Sequence, residues 1–141
     1  MSDGQGTTCQ CYPSLSYDDA PAAIAWLCEV FGFAERLVVP GPDGTIRHSE
    51  LSFKDGAVVM VNSSRPEEGR VSPLRLSATS HALSLYVADP DAHFEHATSK
   101  GVEIIQELED SNFGSRGYMA KDLEGHQWCF ADYRPGAYWT D

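Results

Sequence analysis

DLEGHQWCFADY, Asp122 to Tyr133, reads as a tight turn running into a strand. Asp122, Glu124 and Gly125 supply the turn chemistry, and Gly125 is free to take positive φ. Trp128, Phe130 and Tyr133 supply the aromatic weight of a strand. Upstream, NFGSRGYMAK (Asn112 to Lys121) reads as a loop and a partner strand, which makes the whole a hairpin. Side chains alternate along a strand, so Trp128 and Phe130 share one face and Cys129 takes the other. The two aromatic residues are expected in the core, against a helix layer.

Working outward, the same order of elements occurs twice. In the first half, 9–17 is a predicted strand. Asp18 or Asp19 caps a helix with Pro21 in its first turn. Ile24, Leu27, Cys28 and Phe31 recur at helical spacing, and Gly32 closes the helix. Strands follow at 33–39, 47–53 and 57–62, separated by the PGPDG and KDG turns. In the second half, 81–87 is a strand, Asp89-Pro90 opens a helix and Gly101 closes it. Strands follow at 102–108, 115–120 and 127–133. Asp19 matches Asp89, Gly32 matches Gly101, and Asp55-Gly56 matches Glu124-Gly125. Equivalent caps and turns about 70 residues apart mark a duplicated structural unit. Between the halves, 63–80 is rich in Ser, Pro and charge. It reads as a connector, with a lid over a site as the second possibility.

Composition limits the function. A chain of 141 residues with 42% hydrophobic residues suits one domain with a core. The net charge of −11 opposes nucleic-acid phosphates and anionic lipid, so neither partner is expected. The same charge would attract a cationic small molecule. No apolar run reaches membrane-span length, and the polar start MSDGQGTTCQCYPS, residues 1–14, lacks the apolar segment of a secretory signal. A cytoplasmic location is expected. Residues 1–8 are expected to fray. Cys9, Cys11, Cys28 and Cys129 form no CxxC pair and are read as reduced thiols, with Cys28 in the core.

The order Asp-x-x-Gly-x-x-aromatic-x-Phe at 122–130, together with the duplicated strand–helix–strand–strand–strand unit, resembles the vicinal oxygen chelate superfamily. That group includes glyoxalase I, ring-cleaving dioxygenases and bleomycin-resistance proteins. The resemblance covers about 11–135. It implies an α+β fold: two tandem βαβββ modules forming a curved, open mixed sheet around a cleft, with helices on the outer face. The module boundaries are about 9–62 and 81–135 within a single domain, 1–141. Leu123 stands where the family has Pro.

Metalloenzymes of this group draw His ligands from the first strand of each module and Glu from the last. Counting from the capping Asp19 and Asp89, those places fall on Tyr12, Met60, Ala82 and Cys129. None is a family ligand, so no metal and no cofactor is expected. His81 is one residue from Ala82, but a one-residue slip reverses its facing. Leu15 and Tyr17 match Leu85 and Val87 as helix-facing positions. Ser14 and Ser16 match Ser84 and Tyr86 on the opposite face.

His93 and His96 read as a solvated helix face, His126 as a turn residue. Arg116 would meet an anionic ligand group or pack its stem over aromatic neighbours. No Gly-rich phosphate loop or Ser-based triad is present, and no catalytic residue is assigned. The expected function is metal-independent binding of a small, preferably cationic, organic ligand. The expected contacts are Tyr12, Ser14, Ser16, Glu50, Met60, Asn62, Ser84, Tyr86 and Cys129. The alternatives are a glyoxalase-like lyase or isomerase, or a dioxygenase, using a non-standard metal site around His81 and Cys129 or acid–base chemistry through Glu50 or Tyr86. A dimeric structural or regulatory module without a ligand is the third. The resemblance also implies a homodimer.

Overall fold

The computed structural model describes residues 6, 8–54 and 56–137. The chain divides into two compact units, Met1–Ala78 and Thr79–Asp141. Each repeats one βαβββ plan with few helices, which is the α+β duplication legible in the sequence.

The first unit holds β1 (Ser14–Tyr17), α1 (Ala20–Trp26), β2 (Phe33–Pro40), β3 (Ile46–Phe53) and β4 (Ala57–Ser63). Its sheet order is β1-β4-β3-β2. β1 runs parallel to β4, and the other neighbours are antiparallel. Asp19 caps α1, its carboxylate accepting from the Ala22 N–H at 3.2 Å. The helix packs on β4, β1 and β3 and buries Ala20, Ala23 and Ile24. Its continuation, Leu27–Phe31, is π-helical and ends on Gly32 at φ 91°. Regular helical spacing does not carry through a π turn. Trp26 and Phe31, five residues apart, therefore meet edge to face at 5.0 Å. Val30 is buried, while Cys28, expected in the core, is half-buried. β1 is shorter than expected: 9–13 is not strand.

The segment after β4 carries a 3₁₀ turn, Pro66–Glu68, and a short helix, α2 (Pro73–Leu76), capped by Ser72. Arg75 of α2 donates to Asp18 beside the α1 cap, so this segment is tied to the first unit.

The second unit holds β5 (Ala82–Tyr86), α3 (Pro90–Ser99), β6 (Glu103–Asp110), β7 (Arg116–Lys121) and β8 (Gln127–Ala131). The order β5-β8-β7-β6 repeats that of the first sheet, with β5 parallel to β8. Asp89 caps α3 through the Ala92 N–H at 3.1 Å, and Gly101 follows at φ 81°. α3 packs on β6, β7 and β8. Trp128, Phe130 and Tyr118 are fully buried. Phe130 meets the His93 ring of α3 at 4.1 Å, so it faces the helix as expected. Asp55 and 138–141 lie outside the described residues, as does most of the predicted frayed start.

Candidate functional site

The turn between β7 and β8 is built on one carboxylate. Asp122 Oδ1 accepts from the backbone N–H groups of Glu124, Gly125 and His126, each at 3.0 Å. Asp122 Oδ2 accepts from the indole Nε1–H of Trp128 at 3.0 Å. Gly125 takes φ 103°, which an L side chain rarely adopts. A buried indole needs a partner for its N–H, and Asp122 provides it. Turn and core residue thus fix one another, and that sets the register of β8. Cys129 then faces away from α3.

That other face of the second sheet holds a cavity of about 770 Å³. Two cross-strand rows form its floor. One runs Ser84, Cys129, Met119 and Gln106 from β5 to β6. The next runs Tyr86, Ala131, Gly117 and Glu109. All of these except Met119 line the cavity. In the second row the two middle positions carry a methyl group and no side chain. A Cβ on Gly117 would run into Ala131 and come within 2.7 Å of the Phe130 carbonyl oxygen. The small residues therefore open a hollow and let β7 and β8 approach closely.

Phe113, on the β6–β7 loop, and Tyr133 and Arg134, after β8, complete the wall. Asp132 fixes both segments. Its Oδ1 accepts from Ser115 Oγ at 3.0 Å and from the Arg116 N–H at 2.8 Å. Phe113 and Tyr133 consequently meet edge to face at 5.8 Å. The Arg134 guanidinium lies over the Tyr86 ring, 3.8 Å from its centroid.

Among the expected ligand contacts, the structure places Ser84, Tyr86 and Cys129 together on this cavity. Burial pushes the Cys129 thiol pKa up, and a hydrogen bond with Ser84 opposes that shift. At neutral pH the group is a thiol rather than a nucleophilic thiolate. The other six expected contacts are in the first unit. Ser14 pairs with Met60 and Ser16 with Asn62 across β1 and β4, on the face opposite buried Leu15 and Val61. Asn62 donates to Ser14 Oγ at 3.1 Å. Glu50 is half-buried on β3, with His48 Nε2 at 2.9 Å from its carboxylate. Tyr12 precedes β1 and is 46% exposed.

Arg116 contacts two carboxylates, Asp91 at 2.6 Å and Asp110 at 3.2 Å, instead of a ligand or an aromatic stack. These pairs push its pKa further up and hold Asp91 below the usual carboxylate range. His93 is not on a solvated face: its Nδ1 lies 2.6 Å from the buried Tyr118 hydroxyl. Burial raises the Tyr118 pKa. His81 stands just before β5, with its ring 5.8 Å from that of buried His126. Among the described residues, no three His, Cys, Asp or Glu side chains converge as a metal site. At the four places where the resemblance puts His and Glu ligands stand Tyr12, Met60, Ala82 and Cys129, which do not fit a His/Glu-bound metal.

Sequence reasoning missed the Gly117–Ala131 floor, the Phe113–Tyr133 wall, Arg134, Gln106 and Glu109. Gly117 inside a predicted strand was the available signal, since such a glycine marks a close approach. Phe113 and Arg134 lie outside the strands, where alternation gives no facing.

Two four-stranded sheets of identical order, each backed by one helix, define a tandem glyoxalase-type α+β protein. The chain belongs to the Glyoxalase/Bleomycin resistance protein/Dioxygenase superfamily, whose family model matches residues 11–130. It is 36% identical over 119 residues to an uncharacterized protein of Mycobacterium bovis, covering 82% of this chain and 78% of that one. Crystalline TioX from Micromonospora sp. ML1 is 38% identical and superposes with a TM-score of 0.69, covering 87% of this chain and 97% of that one. A glyoxalase I mutant from Zea mays shares the fold at 18% identity and a TM-score of 0.68. That match covers 86% of this chain and 43% of the maize chain. Among the described residues no helix is long and apolar enough to cross a membrane.

Proposed function

We propose that this chain is a small-molecule binding protein of its superfamily, taking an organic ligand without a metal. The observation that carries this is the second-unit cavity: a preformed hollow walled by Tyr86, Phe113 and Tyr133, with a few convergent polar groups. Such cavities bind through desolvated aromatic contact, and their polar groups fix orientation. Ser84, Tyr86 and Cys129 are its proposed contacts. Tyr12, Ser14, Ser16, Glu50, Met60 and Asn62 are proposed contacts belonging to the first unit. Calorimetry against a panel of cationic, anionic and neutral aromatic compounds tests this, using protein depleted of metal by chelation. Binding that survives chelation and weakens about tenfold or more in Tyr86→Ala supports it. Binding that needs about one equivalent of Zn, Ni, Fe or Mn contradicts it.

The enzyme reading has one observation in its favour, the His48–Glu50 contact at 2.9 Å. A carboxylate that orients an imidazole is a competent general-base pair. Turnover of a thiol-conjugated 2-oxoaldehyde, lost in Glu50→Gln, would decide for it. We further propose a cytoplasmic homodimer, in keeping with four cysteines that form no disulfide and with C2 pairing as the commonest homo-oligomeric state. A monomer by light scattering at micromolar concentration would remove the dimer.

A further inference from the structure

The net charge of −11 suggests a cationic ligand, but the cavity's own charges are arranged otherwise. At the β5 end of the hollow, Arg134 lies flat on Tyr86, 3.8 Å from the ring centroid. Among the described residues no carboxylate stands within ion-pair distance of that guanidinium. The contrast is Arg116, one strand away, which is held by Asp91 and Asp110. Stacking uses only the flat face of a guanidinium. Its N–H donors lie in the plane, so the edge remains able to grip a carboxylate in two parallel hydrogen bonds. At the opposite end of the same cross-strand row, Glu109 lines the cavity from β6. Between them lie only Ala131 and Gly117. Three inter-strand steps separate the ends, about 14 Å at the usual spacing, which leaves room for a two-ring aromatic with a substituent at each end and a hydrogen bond to each wall.

We propose that the cavity binds a planar aromatic ligand carrying an acidic group, with the acid on Arg134 and the rings over the Gly117–Ala131 floor. Glu109 sets the polarity. It repels a second anion at the far end and accepts from an amine or hydroxyl there. Arg134 acts as the anion anchor, held in place by Tyr86. The distant acidic surface does not reverse this, because solvent-exposed charges are screened beyond about 8–10 Å at physiological salt, while a group in the cavity meets Arg134 directly.

This rests on the small-molecule reading of the same cavity, and the test separates the two. Calorimetry is run with four naphthalene probes: naphthalene-2-carboxylate, its methyl ester, naphthalene-2,6-dicarboxylate and 2-naphthylmethylammonium. The monocarboxylate is expected to bind at least about tenfold more tightly than the ester or the ammonium, and more tightly than the dicarboxylate. Arg134→Gln should abolish that preference, bringing the monocarboxylate to the ester's affinity in the same variant. Arg134→Lys should keep part of it, losing the paired hydrogen bonds. Glu109→Gln should raise dicarboxylate affinity selectively. Arg134 is exposed and follows the last strand, so these variants leave the core intact. Equal affinity for acid and ester, indifferent to Arg134→Gln but sensitive to Tyr86→Ala, overturns the anion assignment and keeps the cavity. Failure of every probe to bind overturns the cavity reading and this inference with it.

Discussion

The two units repeat one plan and differ in how the face opposite the helix is filled. Gly125 and Gly56 are 125 − 56 = 69 residues apart, and that offset maps the second unit onto the first. Gly117 then corresponds to His48 and Ala131 to Asn62. In the first unit those places carry side chains that are already engaged: His48 with Glu50, and Asn62 with Ser14. In the second unit they carry almost nothing, and a cavity of about 770 Å³ results. Duplication supplies the sheet twice, and two small residues leave one copy hollow. The turns differ as well. Asp122 and Trp128 correspond by the same offset to Phe53 and Val59, both buried. A buried carboxylate holds the second unit's turn, while the matching places of the first unit carry buried apolar side chains.

The largest effect is expected where the second unit departs most from the first. Trp128→Ala removes a fully buried ring and strands the Asp122 carboxylate that folds the turn. A loss of about 3–5 kcal/mol is expected from denaturation midpoints, with a smaller loss for Val59→Ala. Equal losses would show that the two hairpins are stabilised alike.

A second pair of variants acts on the floor. Gly117→Ala forces a methyl group against Ala131 and the Phe130 carbonyl oxygen, and neither is the far end of a flexible chain. A cost of about 1–3 kcal/mol is expected, with loss of probe binding. His48→Ala breaks only a half-exposed pair and should cost under about 1 kcal/mol. A costly His48→Ala, or a neutral Gly117→Ala, would erase the contrast.

The smallest effect concerns thiol reactivity. Burial holds the Cys129 pKa up, so its thiolate fraction at neutral pH is below that of an ordinary thiol and rises only at higher pH. Iodoacetamide should modify exposed Cys11 before Cys129, and mass-mapped labelling near pH 7.5 reads the order. Faster reaction at Cys129 would make it an activated nucleophile and favour enzymatic chemistry.

Much of the fold was legible because its signals are local. Asp19 and Asp89 each cap a helix through an N–H three residues on, and Gly32, Gly101 and Gly125 each take positive φ. Alternation from Trp128 to Phe130 gave the correct facing of β8, and with it Cys129 on the cavity. The π turn at Leu27–Phe31 was not legible, since no residue in that run differs in type from an α-helical one. Nor was the inward turn of His93, which depends on a Tyr118 hydroxyl 25 residues away. The cavity was half legible. Strand alternation predicts which residues face a side, but depth comes from what is missing, and the Gly117–Ala131 pairing needs the register of β7 on β8.

The second unit's hollow is the ligand site on this reading. Backbone amide chemical shifts measured during titration with naphthalene-2-carboxylate test it most directly. The expected result is saturable shifts that include Tyr86, Gly117, Cys129 and Ala131. Shifts that leave those four residues unmoved, or that scatter without saturation, would contradict it.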